Sequence, residues 1–139
     1  MGLVMVLHPF TNQVKAEIHN HVFLVEIAKT PTEQEIGLAK YARLPLNDAM
    51  YFPFRQPGYY AFWMKNMKFP IDIIFIRNGK IVTIDSFVPA PVKNQQELPT
   101  YKPLVPADAV LEINAGLSKK YGFSRGDNVI IRKENGFIF

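Results

Sequence analysis

The chain contains no cysteine, and this absence removes several kinds of chemistry. A protein without thiols forms no disulfide, has no thiolate nucleophile and offers no thiolate ligand to a metal. Clustered basic charge is also scarce. Sixteen basic and twelve acidic residues give a formal net charge of +4, but basic residues are adjacent only at positions 119–120 and 132–133. No basic stripe results, so we do not expect nucleic acid to be a partner.

Long apolar segments are missing as well, and no stretch has the length that crosses a membrane. Residues 1–10 carry about seven apolar side chains without a basic segment or a small-residue cleavage site, so they are not predicted to be a secretion signal. We therefore expect a cytoplasmic protein with no membrane partner. The sequence indicates no cofactor and no recognised metal motif. The partner classes that remain are an unidentified small molecule or another protein.

What the chain does contain favours a β fold. Its 139 residues are 48% apolar and 13% aromatic, with eleven Phe and eleven Pro. This is enough apolar material for one core, and aromatic residues with frequent proline favour strands and turns over helices. We predict a single domain over residues 1–139, mainly β (α+β). The predicted sheet is antiparallel, small and barrel-like or strongly curved, with two short helices.

Turn residues between apolar runs predict three hairpins. Their turns lie at residues 19–21, 78–79 and 135–136. The pair Asn78 and Gly79 is the strongest of these signals, because a type I′ turn needs positive φ at both central positions. The strands predicted from the apolar runs are residues 14–28 on both sides of the first turn, 50–54, 59–65, 71–77, 80–86, 109–113, 127–132 and 137–139.

Two short helices and one long connection complete the prediction. Thr30 as N-cap, Pro31 at the first position and Glu33 closing a capping box predict a helix that buries Ile36 and Ala39 and ends before residue 45. A second helix is predicted from a cap at Asn114 to Gly122, with Leu117 and Tyr121 buried. Residues 89–106 contain five prolines and are predicted to form an extended connection over the surface.

The hairpin register places two carboxylates in an unusual position. With a two-residue loop, Arg77 pairs with Lys80, and counting outward puts Asp72 directly opposite Asp85. Like charges about 5 Å apart on one face of a sheet repel each other, so something must neutralise the pair.

Three interpretations of this carboxylate pair are open. In the first, Lys65 lies opposite Asp72 and completes a structural ion cluster, provided that residues 67–70 form a four-residue loop. In the second, Asp72 and Asp85 are the catalytic acid and nucleophile of a hydrolase that acts on sugars. In the third, the two carboxylates and Asn66 hold a divalent cation.

The densest aromatic and cationic segment is residues 59–68, close to Asp72. An extended chain divides it into one face with residues 60, 62 and 64 and another with residues 63, 65 and 67. One face must be core, so we expect only Trp63, Lys65 and Asn66 to contact a ligand, for instance a sugar or a base stacked on the indole. With Asp72 and Asp85 they form the predicted ligand-binding surface.

Several motifs together resemble the uncharacterised family called domain of unknown function 192. The motifs lie between about residues 23 and 132, and the block from Trp63 to Phe75 is the most specific part. Ala39 and Ala49 depart from the Met and Gly that are usual in the family. The resemblance implies a small, mainly β domain with short helices and supplies no catalytic residues. The motifs are Gly37-Leu38, Arg43-Leu44, Phe62-Trp63-Met64-Lys65-Asn66-Met67, Pro70 to Phe75, Val110-Leu111-Glu112, Ala115-Gly116 and Gly126-Asp127.

A shorter resemblance covers residues 110–132, which look like the half-barrel unit of swapped-hairpin transcription factors and related cradle-loop barrels. It implies a barrel-like architecture more than DNA binding, because those factors need a dimer and a basic face. The function that we expect is therefore a non-enzymatic module that binds a small ligand or a partner. The alternatives are the sugar hydrolase that uses Asp72 and Asp85 and, second, a DNA-binding dimer.

Overall fold

The computed structural model describes residues 12–135, and β-strands dominate this part of the chain. The mainly β prediction is therefore confirmed. No helix within the described range is long and apolar enough to span a membrane. The elements are β1 (Asn12–Ile18), β2 (His21–Ile27), α1 (Pro31–Ile36), a 3₁₀ turn (Gly37–Lys40), β3 (Asp48–Gly58), β4 (Phe62–Trp63), β5 (Ile71–Arg77), β6 (Lys80–Val88), β7 (Thr100–Tyr101), β8 (Ala107–Asn114), α2 (Leu117–Lys120) and β9 (Ile130–Asn135).

Seven strands form one sheet in the order β6-β5-β8-β3-β2-β1-β9, and β4 and β7 form a separate pair. All neighbours are antiparallel except β2 and β3. Strand pairing does not close the large sheet into a barrel. The segment before β9 nevertheless reaches the opposite edge strand, because Gly126 N–H donates to the Ile81 carbonyl and Ile81 N–H donates to the Asp127 carbonyl.

The core has two halves, one on each face of the sheet. Strand β5 shows this alternation: Ile74 and Ile76 belong to one apolar cluster, and Ile73 and Phe75 belong to the other. Its first six residues are all buried, because β6 and β8 flank the strand and apolar side chains cover both faces. Apart from Asp72, these residues form an apolar run with no polar alternation, which is the sequence pattern of such a strand.

Two of the predicted hairpins are confirmed. His19 and Asn20 form the β1–β2 turn with φ of 50° and 65°, and Asn78 and Gly79 form the β5–β6 turn with φ of 51° and 73°. Both turns therefore have the positive φ that a type I′ connection demands. The third predicted hairpin needs residues 137–139, which lie outside the described residues, as do residues 1–10.

The register predicted for the β5–β6 hairpin is wrong beyond its first two pairs. Arg77 pairs with Lys80 and Ile76 with Ile81, as expected, but Phe75 then pairs with Thr83, so the strand bulges at Val82. One extra residue shifts the partners of Phe75, Ile74 and Ile73 by one position, and a second irregularity follows before Ile71. Asp85 therefore lies opposite Ile73, and the predicted pairing of Asp72 with Asp85 does not occur.

The first helix begins as predicted but ends early. The Thr30 side chain accepts from Glu33 N–H, and the Glu33 side chain accepts from Thr30 N–H, which confirms the capping box. The helix stops at Ile36 because Gly37 adopts φ 52° and ψ −139°, which is not helical. This change of direction buries Leu38, and Ile36 is 48% exposed, so its predicted burial is wrong.

Strand β3 is longer than predicted and the following strand is shorter. It continues through Gly58 with an irregularity after Pro53, where a turn was expected at positions 57 and 58. The predicted strand over residues 59–65 is reduced to β4, because Lys65 and Asn66 form a turn. A two-residue strand, β7, interrupts the proline-rich connection and pairs with β4.

Asn114 is not the cap of the second helix. The N-cap is Gly116, with φ 89°, and the helix spans only four residues. The Asn114 amide instead donates to the carbonyls of Leu44 and Pro45, at 2.9 and 3.0 Å. This residue therefore anchors the loop before β3.

Candidate functional site

A cleft of about 250 Å³ lies between the α1 end of the molecule and the segment that follows β4. One wall is the stretch from Glu35 to Lys40, and the other is the stretch from Trp63 to Asn66. We call it the Trp63 cleft. It is lined by Glu35, Ile36, Ala39, Lys40, Trp63, Lys65 and Asn66.

The Trp63 wall is a tight turn with two buried anchors. Met67 N–H donates to the Met64 carbonyl at 3.0 Å, and Asn66 holds φ 62° within the turn. Asparagine tolerates this left-handed conformation better than most residues. Met64 and Met67 point into the core while Lys65 and Asn66 are exposed. The expectation that Met67 shares a face with Trp63 is wrong because this segment is a turn and not a strand.

The charges of the cleft differ in how they are compensated. The Lys65 ammonium lies 5.0 Å from the centroid of the Trp63 ring, a cation–π distance. Within residues 12–135, Lys65 forms no ion pair. Lys40 is paired with Glu26, which also accepts from the Tyr41 hydroxyl, and this carboxylate raises the pKa of Lys40. The Lys68 ammonium donates to the Ala39 carbonyl and so connects the two walls.

Asp72 has a different role from the one predicted. It is fully buried on β5, opposite Ile113, and its carboxylate accepts three backbone N–H groups. Oδ1 accepts from Phe87 at 2.9 Å and Gly116 at 3.0 Å, and Oδ2 accepts from Ser118 at 2.9 Å. These bonds join β5 to the end of β6 and to the start of α2. They also hold Phe87 at φ 53°, a strained value for a phenylalanine.

Asp85 and Lys65 do not join Asp72. Asp85 faces the opposite side of the sheet, with Ile73, and partial burial raises its pKa. Lys65 follows β4, which pairs with β7 and not with β5, so the predicted pairing of Lys65 with Asp72 is wrong. The structure thus brings together Trp63, Lys65 and Asn66, while each carboxylate lies elsewhere.

Glu112 is a functional candidate that sequence reasoning missed. It lies on β8, is 4% exposed, and has no hydrogen-bond or ion-pair partner in the described part of the chain. Burial raises its pKa from 4.5 to about 8. The signal was present in the sequence, since Glu112 is the one charged residue inside the predicted strand 109–113.

A second cavity, of about 330 Å³, lies at the turn between β1 and β2. There His19 Nε2 is 2.8 Å from Asp127 Oδ2, and the Ser124 N–H, followed by this contact, lowers the pKa of Asp127. Across residues 12–135, no three His, Asp or Glu side chains are grouped as a metal would require. We therefore place no cation there.

Comparisons with known proteins agree with the resemblance. The family model of domain of unknown function 192, described as "Uncharacterized ACR", matches residues 12–131. A protein of unknown function from Novosphingobium aromaticivorans DSM 12444 is 32% identical with a TM-score of 0.71, over 85% of this chain and 83% of that one. A candidate transcription regulator from Sinorhizobium meliloti 1021 is 30% identical with a TM-score of 0.71, over 86% and 92%. No curated protein matches the chain.

Proposed function

We propose that this chain, which belongs to the family domain of unknown function 192, described as uncharacterized, is a non-enzymatic module that binds a small molecule in the Trp63 cleft. One observation carries this proposal. Trp63, Lys65 and Asn66, selected from sequence as ligand contacts, line the same cavity. The opposite wall contributes Ile36 and Ala39, which give the cleft an apolar side.

The side chains of the cleft favour a ligand that combines a ring, able to stack on an indole, with an anionic group. Trp63 is 43% exposed and offers an aromatic surface for stacking. Lys65 beside it is a cation without a carboxylate partner among the described residues, so an anionic group of a ligand could form an ion pair with its ammonium. Asn66 can donate and accept hydrogen bonds at the same rim. An acidic sugar or a nucleotide has this combination of groups.

The alternatives have less support. Asp72 and Asp85 do not face each other, which removes the geometric basis of the sugar hydrolase. The name of the Sinorhizobium neighbour applies to that protein, and a DNA-binding dimer stays a prediction.

We also propose that the sheet is strongly curved and barrel-like, supported by the bonds between Gly126, Asp127 and Ile81. A cytoplasmic location belongs to the same proposal, supported by the lack of cysteine.

The proposal is tested with four probes that separate ring from charge: glucuronate, glucose, adenosine monophosphate and adenosine. Thermal unfolding is followed with each, because a ligand that binds only the folded state raises Tm by mass action. We expect at least one anionic probe to raise Tm while its neutral partner does not. If adenosine monophosphate alone acts, the ring is a base; if glucuronate alone acts, the ring is a sugar.

Variants then locate the binding. Trp63→Ala should abolish the Tm shift, while Tyr59→Ala, which removes another exposed aromatic side chain outside the cleft, should keep it. Lys65→Gln should remove the preference for the anionic probe, with Lys93→Gln as the matched surface control. Equal shifts in Trp63→Ala and the wild type, or no shift with any probe, would contradict the proposal.

A further inference from the structure

Glu112 lies between apolar neighbours in the middle of the sheet. Its partners across β8 are Met50 on β3 and Ile73 on β5, and residues opposite each other in an antiparallel pair share a face. Met50 and Ile73 both belong to the core half beneath the Trp63 cleft. A carboxyl group in this position keeps little contact with water and gains no donor from a described residue.

The 3₁₀ turn lies directly over this carboxyl group. A Cβ placed on Gly37 would be 4.0 Å from Glu112 Oε1 and 3.5 Å from Phe52 Cζ, which are ordinary contact distances, so the backbone at Gly37 lies against this carboxyl group. Ile36 and Ala39, on either side of Gly37 in the chain, line the cleft. The stretch from Glu35 to Lys40 therefore has Glu112 on its inner side and the cleft on its outer side.

No charge near Glu112 compensates an ionised carboxylate. Glu35 and Lys40, the charged residues of the wall, are exposed and line the cleft. On β6, Asp85 shares the sheet face of Glu112 and lies one strand further across Ile73. The strand partners on β3 and β5 are apolar. An ionised Glu112 would need more water, and the turn at Gly37 separates its carboxyl group from the cleft.

We propose that Glu112 is a positioning residue for the Trp63 cleft: its neutral carboxyl allows the wall at Gly37 to pack down, and its ionised form admits water and lifts that wall. Burial supports this mechanism, because it raises the pKa of Glu112 to about 8, where modest alkalinity ionises the group. The effect on ligand binding depends on the function proposed above, but the movement of the wall does not.

The movement can be measured without a ligand, because Trp63 is the single tryptophan and lines the cleft. Acrylamide quenching of its fluorescence is recorded from pH 6.5 to 9.5. We expect quenching to increase in one transition near pH 8 in the wild type. Glu112→Gln, which keeps the shape and cannot ionise, should remain at the low-pH value. Asp85→Asn should keep the wild-type transition.

Hydrogen exchange provides a second test that uses only the wild-type protein, so it does not depend on whether a variant folds. The amide of Tyr41 donates to Leu38 at the end of the wall, and the amide of Tyr121 donates to Leu117 in α2. After correction for intrinsic rates, protection of Tyr41 should fall about tenfold for each pH unit as the pH rises toward about 8 and level off above that value, while Tyr121 stays constant. Binding of an anionic probe in turn should weaken above pH 8 in the wild type but not in Glu112→Gln.

Two results would overturn this inference. One is a wild type whose quenching and Tyr41 protection do not change across the pH range. The other is a Glu112→Gln variant that keeps the transition, because another group would then control the wall. If a probe binds the cleft and either result is found, the inference fails and the proposed function stands. If no probe binds but the transition follows Glu112, the proposed function fails alone.

Discussion

Asp72 and Glu112 are both buried carboxylates on adjacent central strands, yet their surroundings differ in almost every respect. Asp72 is on one face of the sheet and accepts three backbone N–H groups from two other elements. Glu112 is on the opposite face with apolar partners and no donor within residues 12–135. Burial is nearly equal, at 0% and 4% exposure. The difference shows that hydrogen-bond partners, more than burial, decide what a carboxylate does in a core.

Each environment fits a separate task. Three amide donors bind the Asp72 carboxylate and join distant segments, so Asp72 stabilises the fold. A carboxyl group without donors costs free energy when ionised, and such groups occur where a protein uses a change of protonation. The predictions below compare the two sides of the sheet, beginning with the largest expected effect.

Replacing Asp72 by Ala should be the most destabilising change. It leaves the N–H groups of Phe87, Gly116 and Ser118 without an acceptor, and at about 1–3 kcal/mol for each unsatisfied group we expect a loss of about 5 kcal/mol. Urea unfolding measures the free energy of unfolding. Asp85→Ala is the control, because Asp85 accepts no hydrogen bond from a described residue, and it should cost less than about 1 kcal/mol. Similar losses for the two variants would show that Asp72 is not a structural centre.

Replacing Glu112 by Gln should change how stability depends on pH. The folded pKa is raised, so the contribution of the protonated group is fully present below pH 4.5 and is lost as the pH rises to about 8. The wild type should therefore lose roughly 3 to 4 kcal/mol relative to Glu112→Gln between pH 5 and pH 9. Urea unfolding at several pH values tests this. Parallel profiles of the two proteins would mean that Glu112 is not desolvated.

Replacing Gly37 by Ala should strain the cover of Glu112. At φ 52° and ψ −139° a side chain is disfavoured, so we expect a loss of about 2 kcal/mol, although the new Cβ would meet the Phe52 ring at an ordinary contact distance of 3.5 Å. Gly122→Ala is the matched control, since φ is also positive there but no atom lies within 4 Å. It should cost about 1 kcal/mol. If the two variants lose the same free energy of unfolding, the surroundings of Gly37 add nothing to the strain of a positive φ.

Replacing Thr30 by Ala should have the smallest effect, because the capping box that it removes lies at the exposed start of the cleft wall. Loss of an N-cap side chain costs about 1 kcal/mol. Thr32→Ala, in the same helix and also exposed, should change stability by no more than about 0.5 kcal/mol. If Thr30→Ala leaves the unfolding free energy unchanged, the cap does not support the wall.

The prediction of the fold succeeded where local chemistry decides. The turn at Asn78 and Gly79 and the capping box at Thr30 each depend on a few consecutive residues, and both were predicted correctly. The register failed at Val82, because a bulge depends on how two strands pack against the rest of the sheet. Asp72 was selected, but its partners come from segments 15 to 46 residues away, which no local pattern indicates.

The site shows the same division. The sequence alone selected Trp63, Lys65 and Asn66 as ligand contacts, and all three are exposed beside the buried Met64 and Met67. It also determined the absence of thiol chemistry. Only the tertiary structure decided that residues 35–40 form the facing wall, that Asp85 turns away from Asp72 and that Glu112 is buried without a donor. The desolvation and the hydrogen bonding of a side chain depend on which distant elements pack over it. Those elements come together only when the sheet is assembled.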